Sequence, residues 1–280
     1  MVRIVLRRFG KIPEEVEEDI IAVVKECYER IPHSVEIVEI FLFENLLVMK
    51  SFYQQEMMDV GVVTGDFDNS FLAKHDAWRG TSRIAICLEN MKKVSKLIQV
   101  GALRHEVAHS ILHGSIECYM FPITKALAEA SIKFNLSKQY CVNLIYLISI
   151  AVKDFEATKL LLKAGYIEDQ IAYLQYLLKP SSDDLIAWKL SKDNPAAIVL
   201  CLAGRLKDLA CLTALQSTLN HPEIKIMESL SYIPHNILEK ILFFMNKLPQ
   251  IMIDDTFHNF NVVMNAFVED ILKPIFTKKL

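Results

Sequence analysis

The run His105-Glu106-Val107-Ala108-His109 sets two imidazoles and a carboxylate at a spacing suited to metal-assisted hydrolysis. On a helix, positions i and i+4 lie about 40° apart around the axis and about 6 Å apart along it, so both imidazoles can converge on one Zn²⁺. Glu106 falls on the same side but displaced, where it reaches a water on the metal rather than the metal. There it serves as general base, taking the water's proton as a carbonyl is attacked and returning it to the leaving amine. The neighbours Ala102, Leu103, Val107, Ala108, Ile111 and Leu112 are apolar or small, so the helix should be buried on most sides with its ligands facing a cleft. His113 extends the ladder to i+8, about 12 Å along the axis from His105 on a straight helix, too far to share an ion with it. It is read as a partner behind the ligands, a substrate contact, or a helix-end histidine meeting the terminal carbonyls.

A catalytic zinc normally takes three protein ligands and one water, so a third ligand should come from another helix. Asp154 and Glu156 stand in an otherwise apolar stretch, where a carboxylate is costly to bury unless paired or metal-bound. HExxH followed by a second helix bearing ExxA[DN] resembles the gluzincin peptidases, including the CAAX-prenyl proteases and the phage-immunity metallopeptidases. In Asp154-Phe155-Glu156-Ala157-Thr158, followed by LLLKAGY, Asp154 takes the place of the family's ligating acid, Ala157 its small residue, and Thr158 the usual Asp or Asn. The resemblance spans about residues 83–166 and implies a zincin-like fold, a zinc cofactor and Asp154 as third ligand. Glu156 is the alternate, because Asp in the ligand position reaches one methylene less far and Thr158 removes the second carboxylate. The metzincin pattern HExxHxxGxxH is not met, since position 112 is Leu and position 115 is Ser. The membrane helices of the CAAX-type enzymes have no counterpart here, and membrane placement is not carried over.

Weaker signals carry less chemistry. Asp66-Phe67-Asp68-Asn69-Ser70 begins like a calcium loop but has Phe71 where the sixth-position Gly should be and Ala77 where the twelfth-position Glu should be. Tyr119, Tyr140 and Tyr166 are candidate stabilisers of an oxyanion. His33, His75, His221, His235 and His258 have no partner at ligand spacing and read as ordinary histidines.

The elements that must position these groups follow from periodicity and caps. Arg3–Arg8 reads as a strand, and Pro13 with an acidic first turn opens a helix to about Arg30. Ser34–Phe43, Met57–Val63 and Arg83–Leu88 read as further strands, with Gly65–Gly80 a polar loop, giving the order β-α-β-β-β. The RIAICLE segment is expected as an edge strand along which an extended peptide would lie. From about Lys92 the chain reads as helical: Val94–Leu112 stopped by Gly114, a helix from near Pro122 to about Asn135, and one from the Ser137 cap to Ala164 with Gly165 following it. Pro180-Ser181-Ser182-Asp183 marks a boundary, with helices beyond it near 183–191, 195–219, 234–248 and 256–276.

Composition bounds the reading. In 280 residues, 52% are hydrophobic and 31 Lys+Arg stand against 34 Asp+Glu, which leaves ample core material and no basic excess for nucleic-acid binding. The longest apolar run, Cys141–Val152, is too short for a membrane span, which needs about 20 residues. Six dispersed cysteines without a CxxC pair suggest reduced thiols, and no signal peptide is visible, so a cytoplasmic protein is expected. The expectation is thus an α+β, zincin-like chain: a small N-terminal mixed sheet, the HExxH helix and a largely helical C-terminal half. Residues 1–178 would form the metallopeptidase domain and 179–280 a helical region of undefined role that offers a surface to a protein partner. His105, His109 and Asp154 (alternate Glu156) would hold zinc and Glu106 would act as base on a peptide or protein substrate. The alternative is a zinc-binding or metal-free regulatory protein on a peptidase-like fold, and the same groups would also serve a zinc hydrolase of non-peptide amides.

Overall fold

The computed structural model describes residues 2–60, 71–219 and 229–277. They form two compact units: residues 1–119 with 164–173, and residues 120–163 with 174–280. Among the described residues no helix is long and apolar enough to cross a membrane.

The first unit is α+β. It runs β1 (Arg3–Phe9), α1 (Glu14–Arg30), β2 (Ile37–Phe43), α2 (Leu46–Val60), β3 (Ala73–Asp76), β4 (Arg83–Cys87), a single turn α3 (Leu88–Met91) and α4 (Lys96–His113), then a 3-10 turn at Ile116–Tyr119. The sheet order is β1-β2-β4-β3, with β1, β2 and β4 parallel and β3 antiparallel to β4. Because side chains alternate across a strand, Phe41 and Phe43 share one face with Ala85 and Cys87, and α2 covers that face with Met49 and Tyr53. Phe9 stacks on Phe43 at 4.6 Å and Phe52 closes over it at 5.4 Å, an aromatic layer of the kind that dominates core energetics. The opposite face receives α4, and α1 lies against α4, tied to it by a 2.5 Å hydrogen bond between Tyr28 Oη and Ser110 Oγ.

One buried cation joins three elements of this unit. Arg83 opens β4 directly across from Asp76 of β3. Its Nη2 lies 2.6 Å and its Nε 2.8 Å from Asp76 Oδ1, while Nη1 and Nη2 reach the two Glu56 oxygens of α2 at 2.8 and 3.1 Å. Tyr53 donates to the other Asp76 oxygen at 3.1 Å; burial first, then the Asp76 charge, hold its phenol well above the usual range, so it remains a neutral donor.

Several expectations are corrected here. The strand read at Met57–Val63 is helical as far as Val60, the last residue of α2, and 61–63 lie outside the described residues. Met49, Phe52, Tyr53 and Glu56 fall at helical spacing on one face, and a short apolar run does not by itself distinguish strand from buried helix. The order is therefore β-α-β-α-β-β, and the loop read at 65–80 contains β3; its residues 65–70, with the calcium-like run, lie outside the described residues. RIAIC is not an edge strand. All five residues of β4 are buried between β2 and β3, and among the described residues the edge on that side is β3.

The second unit is helical: α5 (Lys125–Phe134), α6 (Lys138–Lys163), the end of α7 (Glu168–Leu177), α8 (Ser182–Ser191), α9 (Pro195–Leu219), α10 (His235–Ile251), α11 (Thr256–Phe267) and α12 (Lys273–Thr277), with a π turn at Val268–Leu272 leading into the last. Its caps match those expected. Ser137 accepts from the Tyr140 amide, Gly165 follows α6 at φ +83°, and Ser181 forms a capping box with Asp184 inside this unit. The longest packed pair is α6 with α9, and α9 is buried along most of its length.

Replacing Arg83 with Met should leave Asp76 buried without this cation and Glu56 with Arg79 at 3.2 Å, and destabilise the chain by about 3–5 kcal/mol. Urea unfolding of the variant against wild type measures this, and a loss below about 1 kcal/mol would show that the three groups are not acting as one network.

Candidate metal centre

Helix α4 starts at the Ser95 cap, whose side chain accepts from the Ile98 amide, and ends at Gly114. Its side chains are held by neighbours within the first unit. A Cβ on Gly101 would lie 2.4 Å from the Asp169 carbonyl oxygen, so only glycine lets the start of α7 come this close, where Gln170 donates to the Gly101 carbonyl at 3.1 Å. Arg104 pairs with Asp169 at 2.8 Å and Glu26 at 3.0 Å while lying 4.0 Å over the Tyr166 ring. These contacts fix the rotation of α4, and that rotation sends His105, Glu106, His109 and His113 inward, all four buried.

The two motif histidines face each other, with His105 Nε2 3.1 Å from His109 Nε2. Two nitrogens bound to one tetrahedral zinc at about 2.0–2.1 Å would stand about 3.3 Å apart, so the pair fits a shared ion. On its other side His109 Nδ1 lies 3.2 Å from His113 Nδ1. A proton on His109 Nδ1 shared with His113 leaves the His109 Nε2 lone pair for a metal, the arrangement that ligating histidines normally show. His113 thus meets His109 rather than a terminal carbonyl in this contact. The His105 ring is bounded by Tyr173 at 5.5 Å.

The expected third ligand, Asp154, belongs to the second unit. Asp154 is half-buried on α6, and its carbonyl accepts from Cys211 Sγ at 3.8 Å. Glu156 accepts from Thr256 Oγ1 at 2.8 Å and from Asn259 Nδ2 at 2.5 Å. Two residues apart on a helix means about 200° of rotation, so the two acids point to different surroundings.

A residue that spacing did not single out stands beside the motif. The His75 ring of β3 lies parallel to that of His109 (5° between planes) at 6.2 Å. Its Nε2 is 2.8 Å from Ser82 Oγ and its Nδ1 is 3.2 Å from Tyr119 Oη. Among the three candidate tyrosines, Tyr119 is the one placed at this histidine; burial raises its pKa and keeps the phenol neutral. Tyr140 donates to the Ala196 carbonyl and Tyr166 to Glu26, both structural roles. Lys74, next to His75, lies 4.3 Å over the Tyr53 ring. Burial lowers the pKa of its ammonium, against the charges of Asp76 and Glu106, which raise it.

Comparison with known proteins finds no matching family model, no matching curated protein and no matching solved structure. Function is therefore argued from the chain's own chemistry.

If His113 orients His109, His113→Phe should weaken zinc binding about 10–100-fold. Competition against a chromogenic chelator reads this, and an unchanged affinity would remove His113 from the site.

Proposed function

We propose that the chain is a zinc-dependent metallopeptidase. The observation that carries the reading is the facing pair of Nε2 atoms on a buried HExxH helix, 3.1 Å apart, with His113 behind one of them. In this reading His105 and His109 hold zinc, and Asp154, which the resemblance sets in the ligand place, completes the ligand set. Imidazole and carboxylate donors together suit zinc. When bound, the ion would supply a Lewis acid for a carbonyl oxygen and acidify water.

The residues around it divide the remaining work. Glu106 accepts a proton at its carboxylate from the attacking water and returns it to the leaving nitrogen. His75 and the neutral Tyr119 phenol, hydrogen-bonded to each other, are donors for a carbonyl oxygen that gains charge. β3, the last strand of the sheet among the described residues, carries His75, so we assign it, rather than β4, as the rail for an extended peptide substrate.

Two variants test the assignment. Glu106→Gln should keep one zinc per chain while cleavage of a peptide library falls at least about 10²-fold. Asp154→Ala should lose zinc together with activity, as His109→Ala should. Zinc retained in full by His109→Ala removes the metal site. A zinc-loaded wild type that cleaves nothing, with Glu106→Gln keeping the biological activity, favours a regulatory protein on this fold.

A further inference from the structure

On the first unit, away from the histidines, a cavity of about 210 Å³ lies where α1, α3 and the beginning of α4 meet. Protein interiors rarely leave voids larger than a water molecule, because unfilled walls forfeit dispersion contacts. This cavity exceeds the ~150 Å³ that holds a benzene ring in an engineered core. α3, which forms one side of it, is a single turn.

Its walls and its mouth differ in chemistry. The walls are Ile20 and Val23 of α1, Leu88 and Met91 of α3, and Val100 and Leu103 of α4. Gln99 also lines it, but its amide nitrogen is already donated to the Met91 and Val94 carbonyls at 2.9 and 3.1 Å. The interior thus recognises hydrocarbon. The mouth is marked by exposed residues: Lys92, Lys96 and Asp19. Asp19 is held by Lys96 at 2.5 Å, which leaves the charge of Lys92 in excess. The first turn of α4, which begins at Lys96, contains no acidic residue, so its positive end adds to the same field.

We propose that this cavity binds a small amphiphilic monocarboxylate, with a saturated tail of about six to eight carbons inside and the carboxylate at Lys92 and the start of α4. The tail meets Val100 and Leu103, both within about one and a half turns before His105, so occupancy bears on the helix that carries the motif. The site does not depend on the metallopeptidase reading.

The test is a titration of the full chain with octanoate, followed by calorimetry and by methyl NMR. Saturable one-to-one binding is expected, with shifts centred on the Val23, Met91 and Leu103 methyls. Octanol should bind about threefold more weakly, and Lys92→Glu should weaken octanoate by a similar factor while leaving octanol unchanged. Val23→Phe, which fills the cavity, should abolish binding of both. Absence of saturable binding, shifts centred elsewhere, or equal octanoate affinity in Lys92→Glu and wild type would each overturn the proposal. The lysine substitution is on the surface, so it decides the matter even if the filled variant fails to fold.

Discussion

Two imidazole nitrogens that face each other at 3.1 Å in a buried setting cannot both present a proton, and cannot both present a bare lone pair without repulsion. A single proton between them satisfies one ring as donor and the other as acceptor. A single cation satisfies both as acceptors. The fold of the first unit is arranged around keeping that pair in register. Asp169 and Glu26 grip Arg104 on one side of α4, and Tyr28 holds Ser110 on another, so the helix cannot rotate its histidines away from His75 without breaking these polar contacts.

The same logic extends to β3. Four residues with a Lys, a His and an Asp make a poor strand by propensity, and β3 persists because Asp76 meets Arg83 across the ladder and Arg83 is in turn held by Glu56. A buried ion cluster is weak support for stability in general. Here its effect is positional, because it fixes the height of the edge strand and thereby the distance from His75 to His109. Substituting one partner would move a histidine as well as a stability curve.

What was legible in the sequence follows from which signals are local. The helices α1, α4 and α6 announce themselves by caps and by apolar spacing, and HExxH requires only one helix to become a pair of converging rings. β4 was legible and misread. A continuous apolar run is the mark of a strand buried on both faces, and its place at the sheet edge never followed from the text. α2 was hidden because its apolar residues also suit a strand, and β3 because its strand state depends on Arg83. His75 had no linear signal at all, since its relation to His109 exists only after β3 pairs with β4. Asp154 is singled out by a resemblance rather than by a local signal, and its rival Glu156 accepts from Thr256 and Asn259.

The distribution of buried polarity makes the final step. His105, Glu106, His109 and His113 all lie on one helix and are all nearly inaccessible to water. A sequence selected only for packing would fill such positions with Leu or Ala, as α4 does at Ala102, Leu103, Val107 and Ala108, because each buried polar group must be matched by a partner of its own. Three imidazoles joined edge to edge match one another only if their protons are ordered along the chain of contacts, from His113 through His109 to His105. Such a chain of contacts needs an acceptor or a cation at its end, and that requirement, set by α4 alone, is what the proposed function answers.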